Sequence, residues 1–244
     1  VNTKKLFERW KAVLEAEHFE NGTNIVTARD RSRAKPHILI IDHYVPEWDR
    51  DAGSRTIYLY AKLFLDAGFQ VSLWPDNLYS TPRYAKALQK LGVEVIYSAE
   101  FVNRFDAWLE ERADVLNYVF LSRPHVSVKY LPAIKRHPRI RTLYYGHDLH
   151  FARMKRQNDV ALNSVSEEEI EKTRELELDV CKACDVVFYP SSAEIDYVEK
   201  AIPGIKASEF AISFFDQETL AIAGRRLESG GGKARGAMKP LLFV

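Results

Sequence analysis

The sequence has few of the features that mark the easily recognised classes of protein. Its 244 residues contain only two cysteines, which excludes a disulfide-rich secreted scaffold and fits a reducing cytoplasm. Basic residues outnumber acidic ones by only 35 to 34, so the total charge gives no reason to expect nucleic acid as a partner. No apolar run approaches the roughly 20 residues of a membrane-spanning helix. No secretory signal opens the chain, while a hydrophobic content of 46% is enough for a large core.

The two cysteines form a single C-x-x-C pair, Cys181 and Cys184, at the end of a predicted helix. A zinc site would need a second pair of Cys or His residues nearby. A thioredoxin-like site would need the pair at a helix start after a strand, whereas here a strand follows it. We therefore predict no metal site, with one thiol packed in the core and the other half exposed.

From residue 37 onward, apolar segments alternate with amphipathic ones. We predict strands over residues 37–42, 69–74, 93–97, 114–120, 139–145, 185–189 and 208–213, and helices over 54–67, 82–91, 104–111, 126–136, 166–183 and 192–201. Alternation of this kind is typical of parallel βαβ units. The sequence therefore predicts an α/β domain over residues 36–215, with a mostly parallel sheet and helices on both faces.

The two ends of the chain depart from this pattern. Residues 1–35 predict a helix over 3–19 and then a polar linker. Residues 216–239 are rich in glycine and basic residues, which is typical of a flexible linker. Residues 240–244 indicate the start of another buried strand. We expect a second α/β domain to begin there, in a longer protein of which this chain is a piece.

The first candidate site is the loop DRDAGSRT, which joins the first predicted strand to the first helix of the α/β domain. Gly53 would let a ligand approach the backbone closely, and Ser54 would cap the helix. Asp51 and Arg55 add charge. Such a loop is a common site for phosphates and sugars, although an ordinary capped helix start is the alternative. It has one glycine, and no acidic residue follows the second strand in the position that binds a ribose, so nicotinamide binding is weakly supported.

Two further candidate sites follow later strands. His147, Asp148 and His150 come after the strand that ends near residue 145, and they could hydrogen-bond sugar hydroxyls or assist proton transfer. Arg123 and His125 follow the strand that ends near residue 120, and they could meet a phosphate or an acceptor. Ligands of open parallel sheets bind outside the carboxyl ends of the strands. Solvated polar loops are the alternative explanation for both segments.

The predicted helix over residues 82–91 is basic, with Arg83, Lys86 and Lys90 at three- or four-residue spacing. A basic helix can rest on an anionic membrane surface, although a solvated outer face is the more common explanation. Peripheral membrane contact is therefore a hypothesis, which failure of the full-length protein to bind anionic liposomes would count against.

Taken in order, several segments resemble the N-terminal domain of a GT-B glycosyltransferase of the family-4 type. The subgroup is the bacterial one associated with O-antigen and rhamnan-like polysaccharides. The matching segments are residues 37–56, SRPHV at 122–126, DLHFAR at 148–153, ELELDVCKACDVV at 175–187 and YPSSAE at 189–194. No single segment is diagnostic, but their order and spacing together are specific. The resemblance covers about residues 36–215.

This resemblance implies two Rossmann-like domains that face a cleft, with the acceptor on this domain and the nucleotide-sugar donor on the second. It implies a retaining reaction that needs no metal and no cofactor, the nucleotide-sugar being a substrate. The candidate residues take three roles: donor-phosphate binding by Gly53, Ser54 and Arg55, catalysis by His147 and Asp148, and acceptor binding by Arg123, His125 and His150. The loop has one glycine where many relatives carry two, and helix 3–19 lies outside the matched region.

We therefore expect the full-length enzyme to transfer a sugar to a glycan or lipid-linked acceptor in surface polysaccharide synthesis. It would act in the cytoplasm, at the inner face of the membrane, without nucleic acid. The donor domain would lie beyond residue 244, so we expect this piece alone to be inactive. The alternative is a non-catalytic, flavodoxin-like domain for ligand binding or regulation.

Overall fold

The fold is taken from a computed structural model, which describes residues 2–26, 28, 31–160 and 165–211. The predicted linker 216–239 and the predicted start of a second domain at 240–244 lie outside the described residues.

Strands and helices alternate along the described residues. The strands are β1 His37–Asp42, β2 Gln70–Pro75, β3 Glu94–Val95, β4 Leu116–Ser122, β5 Arg141–Tyr145, β6 Val186–Tyr189 and β7 Ala207–Glu209. The helices are α1 Asn2–Glu17, α2 Ala52–Asp66, α3 Pro82–Leu91, α4 Phe105–Glu110, α5 Pro124–Ile134, α6 His150–Val160, α7 Glu167–Ala183 and α8 Ser192–Ala201. A single 3₁₀ turn, Ala99–Phe101, precedes α4.

The seven strands form one sheet in the order β3-β2-β1-β4-β5-β6-β7, and every neighbouring pair is parallel. Successive residues of β1 point to opposite faces. Leu39 and Ile41 belong to a core cluster that includes residues of α5, α7 and α8, whereas Ile38 and Ile40 belong to a second cluster with residues of α2 and α3. The sheet is therefore covered on both faces, which explains why β1 is a continuous apolar run. This confirms the predicted α/β, Rossmann-like fold class.

The sequence did not predict α6. Only His150 and Phe151 of this helix are fully buried, at its first turn, and most of the remaining residues are polar. Because a helix is predicted from apolar residues that recur with helical spacing, a helix buried only at its start gives no such signal. The predicted elements therefore assigned no helix to residues 150–160, where the structure has α6.

The strand order places one crevice at the centre of the sheet. From β1 the chain moves to β2 and β3 on one side, and it then returns to β4 on the other side of β1. The connections that follow β1 and β4 therefore run in opposite directions and leave a gap at the carboxyl ends of these strands. Open α/β sheets bind ligands at such a topological switch point. Within the described ranges, no helix has the length and apolar character needed to cross a membrane.

Candidate functional site

The three candidate loops meet at this switch point. Gly53 lies at the start of α2, after β1, and faces the side chains of the other two loops. A methyl group added at Gly53 would lie 2.8 Å from Nη2 of Arg123 and 3.6 Å from Cε1 of His147. Arg123 follows β4 and His147 follows β5. The fold thus brings together one residue from each of the three sequence segments that were singled out.

A buried ion pair lies beneath these loops. Asp42, the last residue of β1, is 1% exposed, and its Oδ1 accepts a hydrogen bond of 2.9 Å from Nε of Arg123. The same carboxylate oxygen accepts a bond of 2.8 Å from the backbone N–H of His43. Burial by itself would raise the pKa of Asp42, but hydrogen bonding by His43 and the charge of Arg123 outweigh it and lower the pKa to about 2. Asp42 is therefore a fixed negative charge that holds the Arg123 guanidinium.

Arg123 also has an unusual backbone. It is the N-cap of α5 and has a φ of 66°, a left-handed conformation that non-glycine residues rarely adopt. Strained residues of this kind persist when surrounding contacts hold them, and they are concentrated at functional sites. Here the Asp42 ion pair holds the side chain, which keeps the guanidinium against Gly53.

The start of α2 differs from the prediction at one residue. Asp51, and not Ser54, is the N-cap, since its Oδ1 accepts a bond of 2.7 Å from the backbone N–H of Ser54. Its Oδ2 accepts bonds from the hydroxyls of Ser54 and Tyr44 at 2.7 and 2.6 Å. The predicted cap was wrong because Asp and Ser are almost equally good N-caps, and the tyrosine contact is not visible in the sequence. Ser54 is buried, and Arg55 is exposed on the helix surface.

His147 is held as a neutral imidazole. Its Nε2 is 2.8 Å from the hydroxyl oxygen of Ser122, at the end of β4. Burial lowers its pKa to about 4, even though the charge of Asp42 acts in the opposite direction. Nδ1 makes no hydrogen bond within the described part of the chain. One ring nitrogen is thus used for positioning, and the other can meet a ligand.

Asp148 carries an unsatisfied oxygen. Its Oδ2 accepts a bond of 3.1 Å from Nη1 of Arg153. Its Oδ1 is buried and has no hydrogen-bond donor among the described residues, and Nδ1 of His150 lies 3.4 Å away. Buried carboxylate oxygens are nearly always hydrogen-bonded, so this atom calls for a donor from a water or a ligand.

The two remaining acceptor-side candidates lie at different depths. His125, in the first turn of α5, is exposed, and its pKa is lowered chiefly by partial burial. His150, in the first turn of α6, is only 7% exposed, and its backbone N–H donates to the Glu177 carboxylate at 3.0 Å. His125 is therefore accessible to a ligand, whereas most of His150 is enclosed.

Sequence reasoning missed Asp42, Tyr189 and Glu177. Asp42 was read as the boundary of a strand. Tyr189 lies against Gly146, where an added methyl group would be 2.1 Å from Cε1 of the tyrosine ring. Glu177 was visible in principle, because it falls on the apolar stripe of α7 beside Val180 and Cys181, which are buried. A charged residue on an otherwise apolar helix face indicates a residue with a specific role.

Two other features bear on where a ligand could bind. In the described ranges, no three His, Cys, Asp or Glu side chains come together in a way that could hold a metal ion.

A cavity of about 600 Å³ lies at the opposite edge of the sheet, where Lys35, His37 and Asn117 line it. That edge holds the amino ends of the strands, which are not where open α/β sheets bind ligands.

Comparison with known proteins gives little beyond this geometry. No family model and no curated protein matches the chain. One similar solved structure is a plant UDP-glycosyltransferase from Glycyrrhiza uralensis, complexed with glycyrrhetinic acid 3-O-monoglucuronide. It is 9% identical, with a TM-score of 0.48, and the match covers 73% of this chain and 49% of that one. The chain thus spans about half the length of that structure. A similarity this low carries no argument about function, so the fold rests on the strand order itself.

Proposed function

We propose that the chain is the acceptor-side domain of a GT-B glycosyltransferase, which transfers a sugar from a nucleotide-sugar to a glycan or lipid-linked acceptor. The observation that carries the proposal is the meeting of Gly53, Arg123 and His147 at the switch point. Three loops there present a helix N-terminus, a guanidinium and a neutral imidazole to one crevice. A donor with a diphosphate and a sugar needs groups of these kinds.

We assign the diphosphate to the start of α2. The backbone N–H groups of Ala52 and Gly53 make no hydrogen bond among the described residues, and the Arg123 guanidinium lies beside them. Free N–H groups at a helix start and an arginine both favour an anion. As the nucleoside diphosphate departs, negative charge grows on its oxygens, and these fixed donors stabilise it. Arg55, on the outer surface of α2, is assigned a supporting electrostatic role, while Ser54 is buried and acts through Asp51.

The transferred sugar is placed at His147 and Asp148. The neutral His147 ring can exchange a hydrogen bond with a sugar hydroxyl through Nδ1 without adding positive charge beside the developing oxocarbenium-like centre. The unsatisfied Oδ1 of Asp148 accepts from a second hydroxyl. The protein's contribution is then positioning and electrostatic stabilisation. Retention, the family-4 assignment and a role in surface polysaccharide synthesis are supported only by the sequence resemblance.

The proposal is tested by nucleotide binding to a matched pair of variants. Arg123→Lys keeps the charge beside Asp42 but removes the planar fork that faces Gly53. Arg136→Lys makes the same change just beyond the C-terminal end of α5, where the side chain is exposed and paired with Asp106. With uridine, guanosine and thymidine diphosphates as probes in calorimetric titrations, we expect Arg123→Lys to weaken binding about tenfold, the loss of one charge-assisted hydrogen bond. Arg136→Lys should bind as the wild type does.

If none of these diphosphates binds the wild-type chain at millimolar concentration, the donor-site proposal is wrong. The non-catalytic alternative is distinguished in the full-length protein. A glycosyltransferase loses glycan synthesis when His147 is changed to alanine, whereas a regulatory domain that merely binds a ligand leaves synthesis intact.

A further inference from the structure

The buried carboxylate of Glu177 is the most unusual group in the described part of the chain that the proposed mechanism leaves unused. It lies on α7, beneath loop 146–150, and is 0% exposed. Its Oε2 accepts a bond of 3.0 Å from the backbone N–H of His150, and its Oε1 accepts a bond of 3.1 Å from the hydroxyl of Tyr189. Burial of a carboxylate costs several kcal/mol unless donors surround it. An apolar residue would fill this helix stripe at lower cost, so the acid needs a further explanation.

The contacts of the His150 ring explain why an acid is present at this position. Three oxygens surround its Nδ1: the Asp148 carbonyl at 3.2 Å, Oε1 of Glu177 at 3.4 Å and Oδ1 of Asp148 at 3.4 Å. A carbonyl and two carboxylates can only accept, so the hydrogen of a neutral ring belongs on Nδ1. The other nitrogen, Nε2, is then left with its lone pair.

Nε2 points away from this buried cluster. It makes no hydrogen bond among the described residues, and it is not among the buried side-chain atoms that lack a partner. His150 is 7% exposed, and because Nε2 has no hydrogen-bond partner there and is not fully buried, it is part of the exposed surface of the ring. Loop 146–150 follows the carboxyl end of β5, so His150 lies on the side of the sheet that holds the crevice.

The same network fixes the loop at its other end. Gly146 lies so close to the Tyr189 ring that an added methyl group would be 2.1 Å from it. The hydroxyl of that tyrosine is one of the two donors to Glu177. One carboxylate therefore connects both ends of loop 146–150, which carries His147 and Asp148 between them.

We infer that Glu177 is a positioning residue: it fixes His150 in the Nδ1–H tautomer, so that Nε2 faces the crevice as a hydrogen-bond acceptor for a sugar hydroxyl. Identification of that hydroxyl as the acceptor's rests on the proposed function. The tautomer of His150 and its dependence on Glu177 do not rest on the proposed function.

The first experiment measures the tautomer directly. The chain is labelled with ¹⁵N-histidine, and the two ring nitrogens of His150, assigned with a His150→Gln variant, are observed by long-range ¹H–¹⁵N NMR above pH 8. We expect a protonated Nδ1 and an unprotonated Nε2 in the wild type. A protonated Nε2 overturns the inference without any variant of Glu177 having to fold.

A matched pair then tests the cause. Glu177→Gln keeps the shape of the side chain but can present an amide N–H to Nδ1, so we expect the His150 ring to shift toward the Nε2–H tautomer. Glu175→Gln makes the same change at an exposed position on the same helix and should leave the ring unchanged. If Glu177→Gln gives the wild-type ring spectrum, Glu177 does not position His150. Tyr189→Phe retains the carboxylate and should keep the Nδ1–H tautomer, which makes it the second variant if Glu177→Gln does not fold.

The kinetic consequence is measured in the full-length enzyme. Loss of one hydrogen bond to the acceptor should raise the acceptor KM of Glu177→Gln about tenfold and leave the donor KM unchanged. A purely structural role would instead lower the amount of folded enzyme and leave both KM values alone. The two proposals fail separately: an Nδ1–H tautomer that depends on Glu177 in a protein without transferase activity overturns the proposed function but not the positioning role.

Discussion

At the scale of the residue, His147 makes the site sensitive to pH. Its pKa is about 4 in the folded chain, against an ordinary value of 6.5. Below pH 6.5 the unfolded chain binds a proton that the folded chain takes up only near pH 4, so the free energy of unfolding falls across this window. The loss is at most about 3 kcal/mol. Above pH 6.5 both states are neutral at His147, and the effect vanishes.

Chemical denaturation of the wild type and His147→Asn at intervals from pH 8 to pH 4 measures this contribution. The difference between the two proteins should be constant above pH 6.5 and should shrink as the pH falls to 4. Asp42 contributes to the pH dependence of stability in a separate, lower pH range. Its pKa is depressed from 3.8 to about 2, so the stability that it supplies is present above pH 3.8 and is lost only below it. A difference between the proteins that does not change with pH would contradict a buried, neutral His147.

The sequence could indicate which loops matter but not how their side chains pair. Gly53, Arg123 and His147 were recognised because they follow strands, and strand order alone places them at one edge. Asp42 could not be recognised, since an acid at the end of an apolar run also marks an ordinary strand boundary. Its importance arises from a partner 81 residues away, Arg123, and such a contact exists only once the strands are adjacent.

At the scale of the element, helices α2 and α7 both begin with a side-chain cap, but the two caps differ in their relation to the candidate site. Asp51 caps α2 within the crevice and also binds Tyr44. Ser166 caps α7 with a capping box to Glu169, in which both residues satisfy backbone donors. Either cap stabilises its helix by about 1 kcal/mol. Only the first lies at the candidate site.

We predict that Ser166→Ala and Asp51→Ala separate stability from binding. Ser166→Ala should lower the free energy of unfolding by about 1 kcal/mol and leave diphosphate affinity unchanged. Asp51→Ala should lower stability by about 2 kcal/mol, because the tyrosine bond is lost as well. It should also alter diphosphate affinity, since a carboxylate beside the helix start is removed. Denaturant melts and calorimetric titrations of both variants measure the two effects. Equal affinities in the two variants would argue against an anion site at the start of α2.

The helix that was missed shows the limit of periodicity at this scale. The fully buried residues of α6 are both in its first turn, so tertiary contacts of two residues contribute most to where it starts. His150 at that position is held by Glu177, which is 27 residues later in the chain. An element that depends on one buried polar contact leaves no repeating pattern in the sequence.

At the scale of the whole molecule, the strand order assigns different roles to the two edges of the sheet. The carboxyl edge holds the crevice at Gly53, Arg123 and His147, while the amino edge holds the cavity of about 600 Å³. The cavity has the size of an ordinary ligand site, yet no loop there follows a parallel strand. The crevice is preferred because the βα loops, the helix starts and the switch point all lie on its side.

Hydrogen exchange should report this asymmetry when a nucleoside diphosphate is added to the chain at millimolar concentration. We expect slower exchange in residues 43–54, 122–126 and 146–150, because a bound anion orders the loops after β1, β4 and β5. Residues 32–37 and 114–117, which line the amino-edge cavity, should exchange as before, and the Arg123→Lys variant should lose the protection at the carboxyl edge. Protection that instead appears around the cavity would move the binding site to the other end of the sheet. The switch-point assignment, and the transferase proposal built on it, would then both be wrong.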